Sequence, residues 1–217
     1  MSRLFAAPRS TIAANLAVQP YDPATYIETA KSGNRVSRRA HIYGSQNIVL
    51  GGKCIIHPAV VIRGDLRKAA APAAPGSDAA RAERGSTVAI SMNKFCVLGE
   101  GCVLRPPYKT YRGAFTYYPL KMGEYVSIGA GSIVEAASIG SYVDIGRGCV
   151  VGKFCSIKDS VRVLDGSVLP AGTVLPSGTV WGGAPATCLG ELTENFDELH
   201  KLRTKDYYER HRPAQAQ

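Results

Sequence analysis

Four histidines, six cysteines and one Arg-Gly-Asp run are the residues of this 217-residue chain whose types could do chemistry. A zinc centre that activates water needs three neutral imidazoles converging on one point. Acyl transfer needs one imidazole as general base beside the acceptor hydroxyl or amine. The chain offers His41, His57, His200 and His211, far apart in sequence. The cysteines, at 54, 96, 102, 149, 155 and 188, include no Cys-x-x-Cys pair, which disfavours zinc-ribbon and thioredoxin chemistry. An even count without a signal peptide points to reduced thiols in the cytosol. Arg63 and Asp65, two residues apart, suit a local surface ion pair worth ~0–1 kcal/mol. No Walker A, GxGxxG, GxSxG or HExxH pattern is present.

Whether any of these residues can meet depends on the elements that carry them, and those follow a period of six. Counting in sixes from Ile139 gives Ile145, Val151, Ile157, Val163, Leu169, Leu175 and Trp181, all large and apolar. Four residues after the first seven stand Val143, Cys149, Cys155, Val161, Ser167, Thr173 and Thr179, all small or β-branched. Upstream, Leu50, Ile56 and Ile62, then Met92, Leu98 and Leu104, then Met122, Ile128 and Val134 keep the spacing. Their small partners include Cys54, Val60, Leu66, Cys96, Cys102, Val126, Ser132 and Ser138, for seventeen hexads in all.

A period of six is neither helical nor a simple alternation; it implies one short strand and one corner per hexad. Three sides close a triangular coil, and coils stack ~4.8 Å apart through parallel backbone bonds. The pattern predicts an all-β solenoid, a left-handed parallel β-helix. The frequent Gly after the large residue, as at Gly99, Gly129 and Gly146, suits corners that demand unusual backbone angles. Five cysteines fall on the small inward position and read as buried hydrophobes. Cys149→Ser is then expected to leave a hydroxyl unpartnered, at ~1–3 kcal/mol. His57, one residue past Ile56, is expected to point outward, so no three histidines converge and no catalytic, cofactor or metal residues are assigned.

Two segments interrupt the repeat. Residues 68–86, rich in Ala, Pro and Gly, read as an exposed insertion with a short helix near 78–84. The loop 106–119 carries Tyr108, Tyr111, Phe115, Tyr117 and Tyr118, which either form a protein interface or fold back over the prism. With Arg63, Asp65 and Arg105 these are the candidate interface residues. Residues 1–25 read as an N-terminal extension, 26–190 as the β-helix and 191–217 as a C-terminal helix and tail. The stretch from Tyr26 to Val36 is expected to cap one end. Thr193 is the expected N-cap of a helix from about Glu194 to Arg210 that packs through Phe196, Leu199, Leu202 and Tyr207.

The net charge of +9 fits nucleic acid, an acidic membrane surface or an acidic protein partner. No nucleic-acid-binding motif accompanies the basic groups at Arg35, Arg38 and Arg39 or in the C-terminal stretch, which favours a solvated or protein-facing surface. Residues 1–20 resemble a transit peptide only faintly and read better as a flexible tail. No apolar run reaches the ~18 residues of a membrane span.

Gly183-Ala184-Pro185-Ala186 resembles the close of hexapeptide acetyltransferases, but Thr187 follows where those carry a cation. A hexapeptide-repeat acyltransferase and a carbonic-anhydrase-like zinc enzyme, the second suggested by the Arg-Gly-Asp run, are the alternatives. The stretch from Tyr26 to Ile56 with its GSQNIVL run, IRGDL from Ile62, VLRPPYK from Val103, SIGSYVDIG from Ser138 and VLDGSVLP from Val163 carry a closer resemblance. Together they resemble the dynactin subunit 5 family. The insertion at 68–86 and the long N-terminal extension depart from that pattern. The resemblance implies a non-catalytic subunit, without cofactor, at the pointed end of dynactin, supporting dynein-driven transport and cargo attachment. It implies as partners dynactin subunit 6, dynactin subunit 4 and a pointed-end actin-related protein, in the cytoplasm and on the cytoskeleton.

Overall fold

The computed structural model describes residues 21–67, 88–111 and 114–214, with the side chains of 111 and 114 excepted. Most of the expected N-terminal extension and the whole insertion at 68–86 lie outside the described residues.

The six-residue period becomes a left-handed triangular coil whose three faces are parallel sheets. On the first face the inward side chains Val36, Ile56, Leu98, Ile128, Ile145, Val163 and Trp181 stack in register. Ile42, Ile62, Leu104, Val134, Val151 and Leu169 stack on the second. Leu50, Met92, Met122, Ile139, Ile157 and Leu175 stack on the third. These ladders and the small residues between them form one continuous core. Most strands are two or three residues long, so no coil buries its apolar side chains without the coil above it.

Four expectations about the coils are corrected. Val36 is a wall of the first coil rather than a cap, with Tyr26–Glu28 pairing antiparallel beside it. The hexads begin there, but the turn Ser45–Asn47 stretches the step from Ile42 to Leu50 to eight residues and hides the register. Ser138 is not inward: the step from Val134 to Ile139 is five residues, Ala136 fills the core, and the Ser138 hydroxyl pairs outside with that of Ser156 at 3.0 Å. The glycines after the large residues are needed for space. A Cβ on Gly129 would lie 2.5 Å from the Gly146 carbonyl of the next coil. Positive φ belongs to a position two residues on, as at Gly131 (φ 69) and Tyr142 (φ 58). Finally, the Cys149 thiol has a partner, donating to the Leu164 carbonyl at 3.1 Å.

The coils close where Thr179–Gly183 turns through cis Ala184–Pro185 into Ala186–Glu191, an antiparallel hairpin. Helix α1, Phe196–Arg210, then lies along the first face. Its N-cap is Asn195, without a side-chain cap bond, rather than Thr193. Its buried side is Phe196, His200, Thr204 and Tyr207, whereas Leu199 and Leu202 are 48% and 64% exposed. The leucines suggested the wrong stripe because two of the four inward positions, His200 and Tyr207, bond to polar groups of the prism as well as pack. His200 Nε2 meets the Tyr125 carbonyl at 2.9 Å.

Candidate interaction surface

The turn Ser45–Asn47 and the hairpin Tyr108–Tyr111 with Ala114–Tyr117 leave the prism at one corner, between the second and third faces, and the chain also leaves the second face there after Val61–Arg63 and rejoins the third at Ile90–Met92. The hairpin register sets Tyr108 opposite Tyr117 and Thr110 opposite Phe115. Residues two apart on a strand share a face, so three rings gather on one side. Tyr108 and Phe115 are 5.0 Å apart between centroids, and Phe115 and Tyr117 are 4.9 Å apart. Tyr108 and Phe115 remain 37% and 52% exposed.

The hairpin is braced against later coils of the same corner. The Lys153 ammonium sits 3.6 Å over the Tyr108 ring, and Tyr118 meets Phe154 edge-on at 5.3 Å. Arg105, at the hairpin's root, pairs with Glu135 of the next coil at 2.8 Å. Arg63 grips Asp65 through two bonds of 2.8 and 2.7 Å, and its guanidinium lies 5.4 Å from the centre of the Tyr43 ring. Those hydrogen bonds hold the Asp65 carboxyl below the usual carboxylate range. The corner therefore unites Arg63, Asp65, Arg105, Tyr108, Phe115, Tyr117 and Tyr118 in one braced, partly exposed aromatic and charged surface. Nothing is described of the Tyr111 side chain. The rings brace the prism on one side and face solvent on the other.

The histidines divide differently. His41 is exposed on the second face, and His200 is buried beneath α1. His57 does point away from the prism core, but α1 covers it. Its Nε2 meets the Tyr207 hydroxyl at 2.6 Å and its Nδ1 meets that of Tyr26 at 3.1 Å. His211 stands beside it, ring centroids 5.3 Å apart. Burial pulls the pKa of His57 and of His200 down, favouring neutral rings. Arg35, also buried, donates to the carbonyls of Tyr208 and His211 and so caps the end of α1. This cluster of Tyr21, Tyr26, Arg35, His57, Tyr207 and His211 was not anticipated. Its sequence signal is the four-residue step Tyr207–His211 that continues the buried stripe. It locks the first coil, the chain before it and the end of α1 together. Among the described residues, no group of three or more His, Cys, Asp or Glu is placed to hold a metal ion. Likewise none of the described helices is long and apolar enough to cross a membrane.

A left-handed hexapeptide-repeat β-helix with a braced aromatic corner and a helix sealing one face is the class this molecule defines. Solved structures share the fold. A hexapeptide transferase family protein from Anaplasma phagocytophilum superposes with TM-score 0.55 at 20% identity, covering 85% of this chain and 95% of that one. PerB from Caulobacter crescentus does so with TM-score 0.51 at 17% identity, covering 72% and 57%. Identities this low show the fold alone. The family described as Dynactin subunit 5 matches residues 79–216, and the chain belongs to that family. Dynactin subunit 5 of Dictyostelium discoideum is 34% identical over 125 residues, 57% of this chain. The match spans about half, 52%, of that relative's length.

Proposed function

We propose that the chain is a non-catalytic structural subunit at the pointed end of dynactin, supporting dynein-driven transport and cargo attachment in the cytoplasm. The observation that carries this reading is the family match over residues 79–216. On this reading the rigid prism is a frame and its irregular corner is what partners recognise. Dynactin subunit 6, dynactin subunit 4 and a pointed-end actin-related protein are the partners proposed, with Arg63, Asp65, Arg105, Tyr108, Tyr111, Phe115, Tyr117 and Tyr118 as contact residues. Enrichment of aromatic and Arg side chains in that set matches what interface cores favour. The domain division at residues 25 and 190 belongs to the same proposal.

Affinity purification of the tagged chain from its own cells tests it. Recovery of actin-related proteins with dynactin subunits is expected. Recovery of self-oligomers alone, together with measurable coenzyme A binding by calorimetry, would replace it with the acyltransferase reading.

A further inference from the structure

The second face carries a feature that the other two lack. Its outward side chains Val61, Val103, Ile133, Val150 and Val168 lie in one register through five successive coils. All are partly exposed, Val150 and Val168 most, at 39% and 37%. The equivalent row on the third face is interrupted by Ser91, Lys121, Ser138 and Ser156. On the first face the equivalent Ile55 and Val97 are buried, 0% and 6% exposed, and pack with Tyr207 of α1. A straight row of β-branched side chains on a sheet is a packing surface, and among the described residues nothing covers it.

The molecule itself shows what fits such a row. Coils rise ~4.8 Å and a helix advances ~5.4 Å per turn, so a helix laid along the coil axis offers about one turn per coil. Helix α1 does this on the first face, seating Phe196, His200, Thr204 and Tyr207 from successive turns. Charge narrows the occupant further. Along the corners flanking the second face, Arg63–Asp65, Arg105–Glu135 and Arg147–Asp165 neutralise themselves. Arg38, Arg39 and Lys153 have no ion-pair partner among the described residues, against Glu100 alone of the opposite sign.

We propose that the second face docks an acidic amphipathic α-helix of a partner protein, its apolar side chains lying over the valine row and its carboxylates reaching Arg38 and Arg39. This rests on the assembly reading above and adds which face is used and what chemistry the partner presents.

A photoreactive benzoylphenylalanine at Val150, in the tagged chain expressed in its own cells, tests the docking. The expected cross-link is to an acidic segment of another protein with apolar residues three and four apart. Cross-links only to residues 68–86, to a second copy or to a β-strand segment would overturn the proposal, as would none from an intact complex. In parallel, Val150→Glu is expected to cut recovery of the cross-linked partner at least tenfold, with Val150→Arg milder and the melting temperature of both unchanged. Arg38→Glu with Arg39→Glu is expected to weaken it comparably. Equal recovery by all variants overturns the docking while leaving the assembly reading standing. Failure of the unmodified chain to recover any dynactin subunit overturns both.

Discussion

A methyl group added at Gly129 would sit 2.5 Å from the Gly146 carbonyl, whereas one added at Gly131 meets nothing within 4 Å. The first glycine exists for the close approach of two coils and the second for its positive φ. Gly129→Ala forces backbone apart and is expected to cost about 2–3 kcal/mol, as overpacking does. Gly131→Ala meets only the left-handed penalty of about 1–2 kcal/mol, since Tyr142, two corners further along the chain, already adopts the same conformation. Thermal or urea melts should rank the two in that order. Cys149→Ser is expected to cost under ~1 kcal/mol in the same assay, because the Leu164 carbonyl that takes the thiol at 3.1 Å can take a hydroxyl. Ser167, which donates to that carbonyl at 2.6 Å from the same inward position, shows that the site accepts one.

The two elements that decorate the prism differ in what their side chains do. In the hairpin, Phe115 is 52% exposed, so Phe115→Ala is expected to move the melting temperature little while reducing co-purification of partners. In α1, Tyr207 is buried and bonded to His57 at 2.6 Å. Tyr207→Phe removes that bond, leaves an imidazole nitrogen unpaired under the helix and should cost about 1–3 kcal/mol. Hydrogen exchange in Phe196–Arg210 should quicken in that variant while the coils stay protected. The hairpin's aromatic content was visible in the sequence because five rings in fourteen residues outside a repeat stand out. The binding side of α1 was not, because His200 is buried through a bond that only the facing coil supplies and Thr204 by turning its hydroxyl back to the His200 carbonyl of its own helix.

Across the whole molecule, the buried titratable groups bound the range of pH over which the fold is stable. His57 and His200 resist protonation when folded, whereas the unfolded chain takes up protons below the ordinary histidine value of about 6.5. Stability is therefore full above that pH and falls as pH drops from about 6.5. Burial pushes Cys102 up to about 12, as it does Tyr26 and Tyr207. The unfolded thiol ionises near 8.5 and the folded one does not, so stability falls again as pH rises above that value. Melting temperatures read from pH 5 to 10 should trace a plateau between these limits. Replacing both His57 and His200 with Gln should flatten the acid flank of that curve.

The period of six alone determined the coil, its three faces and the burial of five cysteines, because each hexad repeats one local rule and the stacking follows from it. The first coil escaped that reading when two extra residues between Ile42 and Leu50 broke the count. Which corner gathers the irregular segments, which side of α1 faces inward, and that His57 meets His211 were decided by the tertiary structure. The contacts that seat α1 join residues 75 to 150 apart, and no local spacing encodes how many coils lie between them.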